Sequence, residues 1–207
     1  MSSTRERGRP RAFNKDCALQ KAIEVFTAKG YEATSLEDLT QAMGINKPSL
    51  YAAFGNKDAL FLQALEAYTA PQDQIIKDKL FAEANTYRAF EQVFELIYQN
   101  HTHQSACGQN MNGCLVANST MLNCEEKKAF AEALQRNHNL HEDIFFERLE
   151  QGRQHGDLKP DTDSRALAQF FNGILVGIAV LARGQQKPEA LCNIVNLALQ
   201  TLKSHTC

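Results

Sequence analysis

The stretch LEDLTQAMGINKPSLYAAFGNKDAL, residues 36–60, decides how this chain folds. Leu36, Leu39 and Met43 recur at helical spacing, and the run stops at Gly44. A second short helix is predicted to start at Asn46–Pro48, because proline is well tolerated in a first turn. It turns Leu50 and Phe54 inward and ends at Gly55. A further helix opens at Asn56 or Lys57 and presents Leu60, Phe61, Ala64 and Leu65. Two short helices joined by Gly44-Ile45 form a helix-turn-helix. The outer side of the second carries Asn46, Lys47, Ser49 and Tyr51. These side chains can reach base edges and phosphate oxygens.

Upstream, Leu19, Ala22, Ile23 and Phe26 share one face of a helix running to about Lys29, with Gly30 as its expected cap. Thr34 or Ser35 is expected to cap the next helix. Glu37, three residues after Thr34, has the spacing of a capping box. The first residues are basic: Arg5, Arg7, Arg9, Arg11 and Lys15 face only Glu6. Residues 1–60 hold nine Lys/Arg and seven Asp/Glu, whereas the rest holds thirteen and seventeen. A basic head on an acidic body is the asymmetry expected when one end meets phosphate.

The chain has 207 residues, 43% of them hydrophobic, which is enough for a substantial core. No unbroken apolar run approaches the ~20 residues of a membrane span, and the polar start lacks an apolar h-region. A cytoplasmic protein without membrane partners is expected. The six cysteines include no CxxC pair and read as free thiols. No P-loop, nucleophile elbow, HExxH or GxGxxG is present, so neither an enzyme nor a cofactor is expected.

Three segments together, Gly30-Tyr31-Glu32-Ala33-Thr34-Ser35, Ala42-Met43-Gly44-Ile45 and Lys47 through Lys57, resemble the signature of the tetracycline-repressor (TetR) family of regulators. The resemblance implies an all-α fold with a helix-turn-helix head and a helical ligand-binding and dimerisation body. It implies that Lys47, Pro48 and Ser49 meet bases. Thr34, with Ser35 beside it, Tyr51 and Lys57 would hold phosphates, and Arg9 and Arg11 would enter a minor groove. The sequence departs from the usual pattern at Ala53, where many members carry His.

About nine helices are expected in all. The domains read as a basic arm over 1–13, a head over 14–70 and a body over 71–207, with a break or kink at Pro71. The body helices are predicted near 73–83, 86–102, 113–121, 125–153, 162–183 and 188–203. The last two carry wide apolar faces, and Gly173-x-x-x-Gly177 allows close backbone approach, so they are the expected dimer contact. Phe94, Tyr98, Leu115, Asn118, His141, Phe145 and Phe170 are candidate pocket residues, although ordinary core packing is the commoner role for each such residue.

The stretch His101 to Cys114 clusters two His and two Cys. Its spacing fits no common metal site, and no metal is expected. Gly113-Cys114-Leu115 resembles a stretch of several family members, some of which sense reactive species through a cysteine. Cys114, with Cys107, is therefore a redox candidate as well as a candidate small buried hydrophobe. The expected function is a dimeric repressor on a pseudo-palindromic double-stranded DNA operator, released by a small-molecule effector. The alternative is release through Cys114.

Overall fold

The computed structural model describes residues 13–102, 115–119, 128–184 and 186–207. Among them are nine helices: α1 (Lys15–Ala33), α2 (Leu36–Met43), α3 (Lys47–Phe54), α4 (Lys57–Ala82), α5 (Thr86–Thr102), α6 (Leu115–Ser119), α7 (Lys128–His155), α8 (Ser164–Arg183) and α9 (Pro188–Ser204). The all-α expectation holds.

Local chemistry sets the helix starts. Asn14, Ser35, Asn46, Asn56 and Asp163 each accept a backbone N–H of the first turn on a side-chain oxygen. That satisfies donors which a helix leaves orphaned. The box on α2 belongs to Ser35 and Asp38, one residue later than the Thr34–Glu37 spacing suggests. Thr34 is unavailable because its hydroxyl donates back to the Gly30 carbonyl at 2.6 Å. Gly30, at φ 76°, breaks α1 as expected, but one more turn follows and carries Tyr31 into the core.

The break expected at Pro71 is absent, and α4 runs through it. Leu60, Phe61, Ala64 and Leu65 before the proline, and Ile76 and Leu80 after it, are all buried. Packing on both sides outweighs the one backbone hydrogen bond that Pro71 cannot make.

Two cores result. The first joins α1, α2, α3 and the start of α4 around Phe26, Leu39, Leu50, Phe54 and Phe61, and it also takes in Leu115, Phe130 and Leu134 from α6 and α7. The second joins the end of α4 with α5, α7, α8 and α9 around Phe90, Phe94, Phe145 and Phe171. One stretch of α8, Ser164–Ala182, is long and apolar enough by composition to cross a membrane, at mean hydropathy 1.6. Scattered polar residues such as Arg165 and Asn172 hide it from a search for an unbroken apolar run.

Candidate nucleic-acid interface

The α2–α3 unit sits at the outer end of the first core. α3 is fixed from beneath by Leu50 and Phe54, both buried. Gln63 of α4 donates to the Phe54 carbonyl at 3.0 Å. The Phe13 ring lies 6.3 Å from that of Phe54, and the Lys15 ammonium 5.2 Å from it. α2 is tied to α1 by an ion pair between Lys29 and Asp38 at 2.6 Å. The same lysine, with the Ser35 N–H and hydroxyl, pulls the Asp38 carboxyl down to about 2.

What remains outward on α3 is polar. Asn46, Lys47 and Pro48 are exposed, Ser49 is half-buried, and Tyr51 is 48% exposed although aromatic. An exposed tyrosine at the tip of a well-packed unit offers a ring and a hydroxyl to a partner rather than to the core. Asn46 spends its side-chain oxygen on the Ser49 N–H at 2.9 Å, which leaves its amide N–H₂ for a base or phosphate. Lys57 opens α4, with its ammonium 4.2 Å from the centroid of the Tyr31 ring. The Tyr31 hydroxyl in turn donates to Asp58.

Thr34 stands apart from this surface. It is 2% exposed and its hydroxyl is engaged, so of the expected phosphate pair only Ser35 is exposed. Arg9, Arg11, Cys107 and Cys114 lie outside the described residues, as does the side chain of Asn118.

Among the described residues, the expected pocket residues are divided between the two cores and the surface. Leu115 belongs to the first core. Phe170 is 38% exposed on the outer side of α8. Phe94 and Phe145, with rings 6.1 Å apart, pack with Phe90 and Phe171 in the second core, and Tyr98 leans against its edge. Among the described candidates, His141 meets polar side chains. Its Nε2 lies 2.7 Å from Oδ1 of buried Asp73 on α4, and Asn137 donates to Oδ2 of the same carboxylate at 3.5 Å. Nearby, burial and His141 push the His138 imidazole below its ordinary value, and Asn172 donates to the His138 carbonyl. Oδ1 of Asn172 is buried without a partner among the described residues. Asp73 escaped the sequence reading because it follows the presumed break at Pro71.

Comparison with known proteins matches residues 18–64 to the model of bacterial regulatory proteins of the tetR family. Residues 95–197 match a tetracyclin repressor-like C-terminal domain. The HTH-type transcriptional repressor ComR of Escherichia coli K12 is 32% identical over 197 residues, which span 95% of this chain and 92% of ComR.

The chain belongs to the TetR family.

Among solved structures, this TetR regulator is similar to a cysteine-substituted variant of the TetR-family regulator CifR bound to a 26-base-pair operator duplex. The two are 36% identical, with a TM-score of 0.84 over 93% of this chain and 98% of that one. The reduced form of NemR from E. coli shares the fold at a TM-score of 0.74 and 19% identity, over 93% and 97% of the two chains. The family consists of transcription regulators and not enzymes. The α2–α3 unit therefore lies within the DNA-binding domain of this family.

Proposed function

We propose that this TetR regulator is a homodimeric repressor that works in the cytoplasm. It holds a pseudo-palindromic operator through the α3 faces of two protomers and lets go when a small-molecule effector enters the body. The observation that carries the DNA contact is the outward set Lys47, Pro48, Ser49 and Tyr51 on a helix whose inner side is fully packed. Lys47, Pro48 and Ser49 read bases, while Tyr51 and Lys57 hold phosphates. The basic arm, with Arg9 and Arg11, adds a minor-groove contact. The arm, the head over 14–70 and the body over 71–207 are the working parts, and α4 belongs to both head and body.

Dimerisation is assigned to α8 and α9. Phe170, Val180 and Leu197 are exposed there, at 38%, 36% and 62%. A Cβ built on Gly173 or Gly177 meets nothing within 4 Å, so neither glycine is small for the sake of its own chain. Only 28% of the apolar stretch of α8 is buried within the protomer. A second copy laid against this face gives a four-helix bundle.

The effector is assigned to the body around Asp73 and His141, where polar groups interrupt an apolar interior. Their burial is costly unless every partner is supplied, so this is the weakest joint of the body and the place where a ligand has most to offer.

The test is a gel shift on DNA upstream of the protein's own gene, with the wild type beside Lys47→Ala and Tyr51→Ala. A specific shift lost in both variants is expected. Equal retention of all three proteins would sink the assignment of α3.

A second reading has one observation in its favour. Leu115, the residue after Cys114 in sequence, is fully buried in the first core. Chemistry on the Cys114 thiol would therefore act on the head directly, and a similar solved regulator was studied with its cysteines substituted. Mild oxidation should then abolish the shift for the wild type and spare Cys114→Ser.

A further inference from the structure

Tyr31 is held on every side. The Lys57 ammonium sits over its face, its hydroxyl donates a hydrogen bond to Asp58, Phe26 lies nearly parallel to it, and Phe61 and Phe130 meet it edge to face. Lys57 and Asp58 are the first two residues of α4, so the place of this ring sets the place of that helix start. Phe26 and Phe61 belong to α1 and α4, within the head. Phe130 does not. It comes from the first turn of α7, in the body, yet its ring lies 4.9 Å from Tyr31 at 77° and 4.8 Å from Phe61. Edge-on contact of this kind is directional, and aliphatic replacements fill the volume without reproducing it.

We propose that Phe130 is a positioning residue for DNA binding. Its ring holds Tyr31 in the orientation that presents the Lys57 ammonium to a backbone phosphate. The proposal rests on the reading of Lys57 as a phosphate contact. Without the Phe130 ring, Tyr31 relaxes toward the vacated side, its face turns away from Lys57, and the ammonium loses the ring on which it rests. The contact also makes the head's grip on DNA depend on where α7 begins, without passing through the second core.

The salt dependence of binding separates positioning from plain stabilisation. Each phosphate contact contributes about 0.9 to the slope of log affinity against log salt. The probe is an operator duplex isolated from random DNA by in vitro selection with the full-length protein. Lys57→Ala should lower the slope by about 0.9 and weaken binding about tenfold at moderate salt. Phe130→Leu, which keeps most of the apolar volume, should produce a comparable loss of slope. The double variant should lose no more than either single one, because both remove the same contact. The thermal transition is followed alongside. Should Phe130→Leu unfold the head, Phe130→Met takes its place and is read in the same way. A weakened variant with unchanged slope, or two losses that add, would show Phe130 to be structural and overturn the proposal. An unchanged slope in Lys57→Ala is a separate failure: it removes Lys57 as a phosphate contact, and the role of Phe130 falls with it.

Discussion

Arg148 is 2% exposed on α7, and it holds a corner of the body together. Its guanidinium donates to the carbonyls of Leu80, Glu83 and Ala84 at the end of α4 and to the hydroxyl of Thr86 at the start of α5. Burial pushes its pKa below the usual arginine value, and Asp157 and Glu83 push back. The fork closes the α4–α5 corner by satisfying carbonyls that a helix end leaves open. Arg148→Met should cost about 3 kcal/mol or more, since buried carbonyls lose a charged donor. Urea unfolding would measure it, and an unchanged midpoint would count against this account. One turn on, a Cβ at Gly152 would stand 2.1 Å from the Thr86 hydroxyl, so Gly152→Ala attacks the same corner from the other side. The sequence held a signal for Arg148. It continues the spacing of Asn137, His141, Ile144 and Phe145, all buried on one face of α7. A lone arginine on an apolar stripe is easily taken for a solvated one, because its partners are backbone carbonyls that no side-chain pattern announces.

Individual helices carry predictions of their own. The start of α2 depends on ionised Asp38, whose pKa of about 2 lies below the ordinary 3.8. A depressed carboxyl stabilises the fold above its ordinary value, and that support is lost as pH falls from near 4 toward 2. Head stability in the wild type should therefore drop through that window, while Asp38→Asn should be weaker at neutral pH and flatter below it. Parallel curves for the two proteins would refute the link. For α8 the informative quantity is a sign. In an isolated protomer, Gly173→Ala and Gly177→Ala should each stabilise the helix by about 0.5–1 kcal/mol, since nothing near them would be struck. In a closely packed dimer the added methyls should weaken association instead, which sedimentation at graded concentrations would show. Helices α1, α2 and α3 were legible because Asn and Ser caps and positive-φ glycines punctuate them. The continuity of α4 is hidden in the sequence because Pro71 is locally a helix breaker, while the residues that carry the helix past it pack against α5 and α7. Local rules could not reveal those partners.

At the scale of the whole molecule, the head is incomplete by itself. Leu115, Phe130 and Leu134 of α6 and α7 fill part of its core. A truncated chain ending near residue 70 should therefore expose Phe61 and Tyr31, and show a broad, weakened unfolding transition relative to the full chain. A sharp transition of undiminished midpoint would mean that the head closes its core without these residues. The site was legible to a different degree. The α3 face could be read directly, because its residues are neighbours in sequence. The meeting of Tyr31 with Phe130, and of Asp73 with His141, joins segments far apart in the chain, and only the fold brings them together.

One consequence concerns α4, which is continuous over 26 residues. At 1.5 Å per residue such a rod is about 39 Å long. Arg148 clasps its far end, and the recognition unit is fastened to its near end through Gln63. A rod of that length multiplies a small rotation. A tilt of only about 5° carries its tip through roughly 3.4 Å, the rise of a single base pair. A rearrangement of a few degrees at the contacts that hold α4 can thus displace α3 by one whole base-pair step.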